Sequence, residues 1–278
     1  MKIAESKLVL PLAALFVAFF VAPLAVLILL SLHGEAAMRT WTVANYAKFF
    51  GDSFNYSILV ETLFLGVKAT LVCLAFGYPI AWICTRASPR VQSVIVFLVI
   101  LPILTSVVVR TFGWIVILGR QGVINQILLG LGVIHDPLKL LYTETGVVMV
   151  LAQVQMPLMV LPILTVMSKI DANLSDASRV LGAGEWKTLW RITIPLSLPG
   201  VIAGCILTFT ACITAFVTQT LIGGARLIYM PLHIYQQAVG ANNWPFAAAI
   251  SVIFMVAVLI IVGILGALGR RSETYARP

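Results

Sequence analysis

Charged side chains are scarce in this sequence of 278 residues: Asp, Glu, Lys and Arg make up 10% of it, and hydrophobic residues 61%. A soluble domain needs many more polar residues, because exposed apolar surface aggregates in water. The scarcity excludes a soluble globular protein and indicates a bilayer as the solvent. The net charge of +8 does not indicate a nucleic-acid partner, since the basic residues fall between long apolar runs instead of clustering on a polar face.

Motifs of catalytic and metal chemistry are missing from the sequence as well. Its four cysteines lie inside apolar stretches without Cys-x-x-Cys spacing, so they predict neither a metal site nor a disulfide framework. There is no His-Glu-x-x-His motif and no Gly-x-x-x-x-Gly-Lys-Ser/Thr nucleotide-binding loop. We therefore expect a protein that is not an enzyme and that holds no metal and no cofactor of its own.

Long apolar runs are present instead, each near or above the ~20 residues that a membrane-spanning helix needs. Backbone groups in lipid must be satisfied within the segment, so the runs are helices rather than strands. The first run is longer than a signal-peptide core of about 7–15 residues, so we expect it to remain as an anchor. We predict an all-α polytopic membrane helix bundle, one domain over 1–278, with about six transmembrane helices at 8–32, 58–84, 91–118, 145–168, 199–222 and 246–268.

Charge placement orients this bundle. Most of the 18 Lys and Arg residues fall on one side of the predicted spans, so the positive-inside rule puts the N- and C-termini in the cytoplasm. Lys68 shares a helix face with Glu61 but lies about 10 Å from it along the axis, so we expect its ammonium group to extend toward the membrane surface. For Arg110 three roles stay open: lining a path, binding unpaired carbonyls near Pro102, or extending outward.

Two external segments have recognisable patterns. Residues 121–131 predict a short interfacial helix. Residues 223–245 contain Tyr229, Tyr235 and Trp244, which are typical of an aromatic belt at the membrane interface, although they could also contact a partner protein.

The longest cytoplasmic connection, 169–198, predicts two short amphipathic helices with a glycine bend between them. Apolar residues recur at helical spacing at Leu174, Ala177, Val180, Leu181, Trp186, Leu189 and Trp190. Asp171 or Asn173 could cap the first helix, Gly182 and Gly184 interrupt the helical pattern, and Pro195 and Pro199 close the segment. Two interpretations stay open from the pattern alone. The segment could lie on lipid headgroups, or it could insert apolar side chains into a groove of a cytoplasmic partner.

The residue identities in this connection resemble the EAA loop of permeases in binding-protein-dependent ABC importers. That signature is Glu-Ala-Ala, three residues, Gly, nine residues, Ile, one residue and Leu-Pro. Its positions are held here by Asp176, Ala177, Ser178, Gly182, Ile192, Ile194 and Pro195. The resemblance implies that residues 169–198, the coupling loop, dock together with Trp186 into a cleft of an ATPase subunit, where Asp176 makes the contact of the family's Glu.

The same resemblance implies a multi-pass protein of the bacterial inner membrane that forms the path of an ATP-driven importer. Its partners would be a cytoplasmic ABC ATPase dimer that binds the ATP, a second, non-identical permease subunit, a periplasmic solute-binding protein and membrane lipid. A secondary transporter or a channel is the alternative. It would need ion-coupling carboxylates or inverted halves, and neither is evident in the sequence.

Other stretches resemble the spermidine/putrescine branch of this family, among them Arg110-Thr111, 195–200, Phe216-Val217-Thr218 and 243–246. Polyamine permeases commonly carry Gly-Glu before Phe-Val-Thr, whereas this chain has Thr214-Ala215. The implied solute is small and polar, either a polyamine or an amino-acid-like or opine-like compound. Candidate residues of its path are Glu61, Arg110, Thr214, Phe216 and Thr218.

Overall fold

The computed structural model describes residues 15–36 and 38–274, apart from the side chains at 172, 175, 176, 268 and 270–274. Its α-helices are α1 Ala22–Ser31, α2 Ala44–Gly51, α3 Ser53–Arg86, α4 Pro89–Ile100, α5 Val107–Leu118, α6 Val123–Gly130, α7 Glu144–Met167, α8 Ala172–Val180, α9 Glu185–Thr188, α10 Ile194–Ile213, α11 Phe216–Gly223, α12 Met230–Tyr235 and α13 Trp244–Thr274. Further short helices are the π turns Val17–Val21, Leu189–Thr193 and Gln236–Gly240 and the 3-10 turns Leu101–Leu104 and Gly224–Arg226.

Within the described residues, five helical segments are long and apolar enough to cross a membrane: Ser53–Arg86, Val107–Gly130, Glu144–Met167, Glu185–Ile213 and Trp244–Ala267. The all-α membrane bundle predicted from the sequence is confirmed. Of the first predicted span, residues 8–14 lie outside the described part of the chain, and Val17–Ser31 forms an apolar helix shorter than a full span.

Two of the predicted spans are interrupted. In the run 91–118, α4 ends at Ile100, a 3-10 turn follows, and α5 begins at Val107. Pro102 lies in that turn, and its ring both removes a backbone donor and clashes with the carbonyl of the preceding turn. In the run 199–222, α10 ends at Ile213 and α11 begins at Phe216, without a proline or glycine at the break.

The described residues form two compact units, 15–59 with 232–257 and 60–231 with 258–274. In the larger unit α7 is central, because its buried residues belong to two apolar clusters, one around Leu65 and the other around Cys73. It packs along α10, where a Cβ on Gly204 would lie 2.9 Å from the Sδ of Met159 and 3.0 Å from its carbonyl oxygen. Glycine therefore lets these two helices approach closely.

In the smaller unit, polar groups join the ends of its helices. The hydroxyls of Ser31 and Tyr46 lie 2.6 Å apart. Asp52, just before α3, accepts a hydrogen bond at 2.9 Å from the backbone amide two residues later. On α12, the side chain of His233 is buried, and its Nε2 lies 2.8 Å from Oδ1 of Asn55.

Candidate coupling loop and translocation cavity

The first half of the coupling loop folds as its sequence predicts. Asp171 is the N-cap of α8 and accepts a hydrogen bond at 2.9 Å from the backbone amide two residues later. At the other end, the amide of Gly182 donates to the carbonyl of Arg179 and that of Ala183 to the carbonyl of Ser178, both at 2.9 Å. These two bonds form a Schellman motif. Gly182 has φ of 77°, a left-handed conformation that glycine adopts without steric cost.

The second half of the loop differs from the prediction. α9 passes through the π turn Leu189–Thr193 into α10, so Glu185–Ile213 is one continuous helical run. The sequence predicts that Pro195 and Pro199 close the loop, but Pro195 stands in the first turn of α10 and Pro199 inside it. The wider π turn directly before Pro195 accommodates a residue that cannot donate a backbone hydrogen bond.

Side-chain contacts fix the angle between the two halves of the loop. The hydroxyl oxygens of Ser178 and Thr188 lie 2.7 Å apart in a buried contact. Glu185, which sequence reasoning missed, pairs with Arg179 at 3.4 Å and with Arg86 at 3.6 Å. The side chains are 33–61% exposed, so each pair contributes only about 0–1 kcal/mol. They orient the loop on the end of α3 rather than stabilise it strongly.

Large apolar side chains project from the loop on both sides of its glycine turn. The exposed fractions are 88% for Val180, 86% for Leu181, 72% for Trp186 and 66% for Trp190. Leaving such surface in water is unfavourable by ~25 cal/mol per Å². Several large apolar side chains exposed within one short segment mark a place that lipid or a protein partner covers.

The other predicted loop residues have varied surroundings. Ala177 is exposed, Ile192 and Ile194 are half-buried, and Pro195 is exposed on the surface of α10. The side chain of Asp176 lies outside the described residues, so its contact with an ATPase stays a prediction.

Both helix breaks line one cavity of about 520 Å³. The first break and α5 contribute Ile103, Thr105, Val107 and Arg110, and the middle of α7 contributes Val154, Gln155 and Leu158. The second break and α11 contribute Thr214, Ala215, Phe216, Val217 and Thr218. The cavity therefore brings together Arg110, Thr214, Phe216 and Thr218 of the predicted path. Glu61, the fifth predicted path residue, is not among its lining residues and is exposed on α3.

Arg110 has two of the three roles that the sequence leaves open: it binds a backbone carbonyl and lines the cavity. Its Nη2 donates to the carbonyl oxygen of Thr105 at 2.9 Å, which bridges the break between α4 and α5. It also lines the cavity. The Nε of Arg110 is buried without a hydrogen-bond partner. The Arg110 side chain forms no ion pair with any residue that the structure describes.

Gln219 bridges the second break in the same manner. Its Nε2 donates to the carbonyl oxygens of Cys212 at 2.8 Å and Ile213 at 3.1 Å, and the side chain is 1% exposed. These carbonyls lie in the last turn of α10, where the regular helical donors end, and that of Cys212 also accepts the amide of Ala215 at 3.4 Å. Sequence reasoning missed Gln219, although a single amide side chain within an apolar run was a signal that could have indicated it.

Lys68 forms an ion pair that the sequence did not predict, and the extension of its ammonium group toward the membrane surface stays a prediction. Its Nζ lies 2.6 Å from Oε1 of Glu144, the first residue of α7. Both side chains are about half-exposed, at 50% and 45%. The pair places Lys68 of α3 at the level where α7 begins.

The two external predictions have different outcomes. The short helix predicted at 121–131 is found as α6, Val123–Gly130, and its location at the membrane interface stays a prediction. Tyr229 does not belong to an aromatic belt, because it is 3% exposed in the apolar cluster around Leu65. Burial raises the pKa of the Tyr229 hydroxyl, and the carboxylates of Glu144 and Glu61 raise it further. Tyr235 and Trp244 are exposed.

Comparison with known proteins decides the family. Residues 75–274 match the model of the binding-protein-dependent transport system inner membrane component. The chain belongs to this family. It is an inner-membrane permease subunit of an ABC importer and not an enzyme, since a separate subunit of such importers carries the ATPase activity.

Curated relatives of the permease agree with this family. The spermidine/putrescine transport system permease protein PotB of Escherichia coli (strain K12) is 35% identical over 212 residues, which cover 76% of this chain and 77% of that protein. PotB of Haemophilus influenzae is 33% identical over 211 residues, covering 76% and 73%. The inner membrane ABC transporter permease protein YdcU of Escherichia coli is 26% identical over 242 residues, covering 82% and 76%.

Solved structures share the fold of the permease. A chain from a bacterial alginate ABC transporter in complex with an alginate pentasaccharide-bound periplasmic protein has a TM-score of 0.79 at 18% identity, with 96% of this chain and 94% of that chain covered. A chain of the methionine ABC transporter MetNI in an inward-facing conformation has a TM-score of 0.58 at 14% identity, covering 80% and 96%. At these identities the likeness shows the architecture alone.

Proposed function

We propose that the permease forms a path for a small polar solute and that its coupling loop, 169–198, docks into a cytoplasmic ABC ATPase dimer. A second, non-identical permease subunit completes the path, and a periplasmic binding protein delivers the solute. Both termini of the chain lie in the cytoplasm. The observation that carries this proposal is the apolar surface around Gly182, held in a fixed shape by the Schellman motif and the contact between Ser178 and Thr188.

The shape of this surface favours a protein groove over lipid headgroups. An interfacial helix lies flat with one continuous apolar stripe. Here Leu181 and Trp186 are both exposed but stand on opposite sides of a tight turn, so they do not belong to one continuous helical stripe. Asp176 would supply a polar contact beside them, as the resemblance to the EAA loop implies.

Truncation of Trp186 tests the docking. We expect Trp186→Ala to weaken capture of the ATPase by about tenfold or more, because removing a central interface tryptophan costs ≥ 2 kcal/mol. The measurement is co-purification of ATPase with tagged permease, together with uptake by ATP-loaded vesicles. Trp41→Ala is the matched control, since Trp41 is similarly exposed at 69% but lies outside the loop.

Two outcomes would contradict the proposal. Unchanged capture and uptake in Trp186→Ala would leave the loop as an interfacial element. Uptake that follows a proton or sodium gradient in ATP-depleted vesicles would instead indicate a secondary transporter.

The solute belongs to one of two classes. The names of the PotB relatives support a polyamine. The presence of Ala215 where polyamine permeases commonly carry Glu supports an amino-acid-like or opine-like compound, because the position then lacks a carboxylate that could bind an ammonium group.

A further inference from the structure

The cavity between the two helix breaks has an uneven charge. Arg110 is the one charged side chain among its lining residues, and no acidic side chain lines it. A cation that is removed from water without a counter-ion is costly unless another group balances it. Since Arg110 has no ion-pair partner among the described residues, the cavity is complementary to a negative charge.

The backbone at the breaks increases this asymmetry. The carbonyl ends are occupied by protein donors: Arg110 binds the carbonyl of Thr105, Gln219 binds those of Cys212 and Ile213, and the hydroxyl of Thr214 donates to a carbonyl one turn earlier in α10 at 2.8 Å.

The amide end of α5 is open by comparison. α5 begins at the cavity without a side-chain N-cap, whereas at the start of α11 the amide of Phe216 donates to the carbonyl of Thr214 at 2.8 Å. Helix N-termini carry a partial positive charge and bind anions. The cavity thus offers the guanidinium of Arg110 and a helix N-terminus to a ligand, while the backbone carbonyls at the breaks already accept hydrogen bonds from the protein.

The position of the cavity excludes a lipid phosphate as the natural counter-ion. Gln155 lies roughly 16 Å along α7 from its first residue, in a helix roughly 36 Å long. This is close to the middle of a hydrocarbon layer of about 30 Å. Lipid phosphates lie at the two surfaces of that layer, whereas solutes of transporters bind near its middle.

From these contacts we infer that the cavity binds the transported solute through an anionic group, a carboxylate or a phosphonate, held by Arg110 and the N-terminus of α5. The cavity volume of about 520 Å³ lies in the usual range of small-molecule sites. This inference rests on the proposed transport function and narrows its solute class to amino-acid-like compounds. A polyamine, which carries only ammonium groups, is disfavoured because Ala215 leaves the lining residues beside Arg110 without a carboxylate.

Uptake of matched probes tests the solute class. The complete importer with its binding protein is reconstituted in ATP-loaded vesicles and given 4-aminobutanoate, 2-aminoethylphosphonate, putrescine or spermidine. We expect ATP-driven uptake of a probe with an anionic group and little uptake of the two amines. Uptake of an amine alone overturns the inference, and so does binding-protein-stimulated ATP hydrolysis with no probe transported.

A substitution at Ala215 tests the role of the cavity itself. Ala215 lines the cavity, so Ala215→Glu brings a carboxylate that competes for Arg110. Uptake of the anionic probe should fall by about tenfold or more, as for other buried charge pairs. Ala215→Gln adds a neutral side chain of the same size and controls for that bulk, so its uptake should fall less than that of Ala215→Glu. Equal uptake by the two variants would refute the inference.

Failure of the proposed function has a different signature. In that case no ATPase would co-purify, and no probe would accumulate in response to ATP. An importer that hydrolyses ATP, transports solute and treats Ala215→Glu like Ala215→Gln would retain the transport function and lose only the anionic solute site.

Discussion

At the scale of single residues, the turn of the coupling loop depends on one backbone conformation. Gly182 has φ of 77°, and a Cβ added there meets no heavy atom within 4 Å. Space is therefore not the constraint. The constraint is the left-handed backbone, which costs an L-residue with a side chain roughly 1–2 kcal/mol.

Gly182→Ala should therefore loosen the corner of the loop without disturbing the membrane helices. We expect lower ATP-driven uptake at an unchanged amount of permease in the membrane. Gly184→Ala is the control, because Gly184 has φ of −69° and equally open space. Equal uptake by the two variants would show that the loop tolerates another shape.

His233 gives the permease an acid-sensitive contact. Burial lowers the pKa of its imidazole, and the nearby Asp52 carboxylate opposes part of this shift. The unfolded chain binds a proton near the ordinary pKa of about 6.5, while the folded protein resists protonation. The stability from neutral His233 is thus complete above about pH 6.5 and declines as the pH falls through that value toward the lower folded pKa.

Thermal unfolding of the purified permease at pH 7.5 and 5.5 measures this effect. The loss approaches at most about 1.4 kcal/mol per pH unit. His233→Gln should reduce the difference between the two pH values, whereas His135→Gln, at an exposed position, should not. A difference that both variants retain would assign the acid sensitivity to other groups.

At the scale of helices, the two breaks are held by amide and guanidinium side chains that follow them. Gln219→Leu would remove the side-chain donor of the Ile213 carbonyl and leave the Cys212 carbonyl with only the long bond from the amide of Ala215 at 3.4 Å. We expect a loss of about 1–3 kcal/mol, the cost of an unsatisfied buried polar group, seen as a lower unfolding temperature. Gln236→Ala, at an exposed position, serves as the control, and equal unfolding temperatures would contradict the bridging role.

Helix ends that are determined by neighbouring residues could be predicted from the sequence. Features that depend on residues far apart in the chain could not. The N-cap Asp171 and the turn at Gly182 lie within a few residues of the helices they bound, so the fold of the first half of the loop could be predicted. The pair of Lys68 with Glu144 joins positions far apart in the chain. The break after Ile213 has no local helix breaker and exists because Gln219 and the packing against α7 satisfy it.

The cavity was predictable in part for the same reason. Arg110 and Thr214 were identified as unusual residues in apolar runs, but periodicity could not show that both breaks line one space. Glu61 was selected because carboxylates are rare in spans, and the structure places it outside that space. The rarity of charged residues in the spans therefore indicated candidate path residues, and the packing of the helices determined which of them line the cavity.

At the scale of the whole molecule, the orientation of the chain can be measured directly. The positive-inside rule predicts that residues 169–198 and both termini are cytoplasmic. A single cysteine at Ala183, with the native cysteines replaced, should be inaccessible to a membrane-impermeant maleimide in intact cells and react after lysis. A cysteine at Gln126, on α6, should react in intact cells. The reverse result would invert the topology.

The continuous helix Glu185–Ile213 joins the two functional regions mechanically. It is roughly 43 Å long, with Trp186 near one end and the corner at Thr214 just beyond the other. A helix of this kind behaves as a stiff lever whose softest point is the π turn beside Pro195. A small tilt imposed at Trp186 would therefore reach the cavity as a movement of several ångströms. If the loop docks as we propose, opening and closing of the proposed solute site would require no relay of side chains, because one continuous helix would transmit the movement.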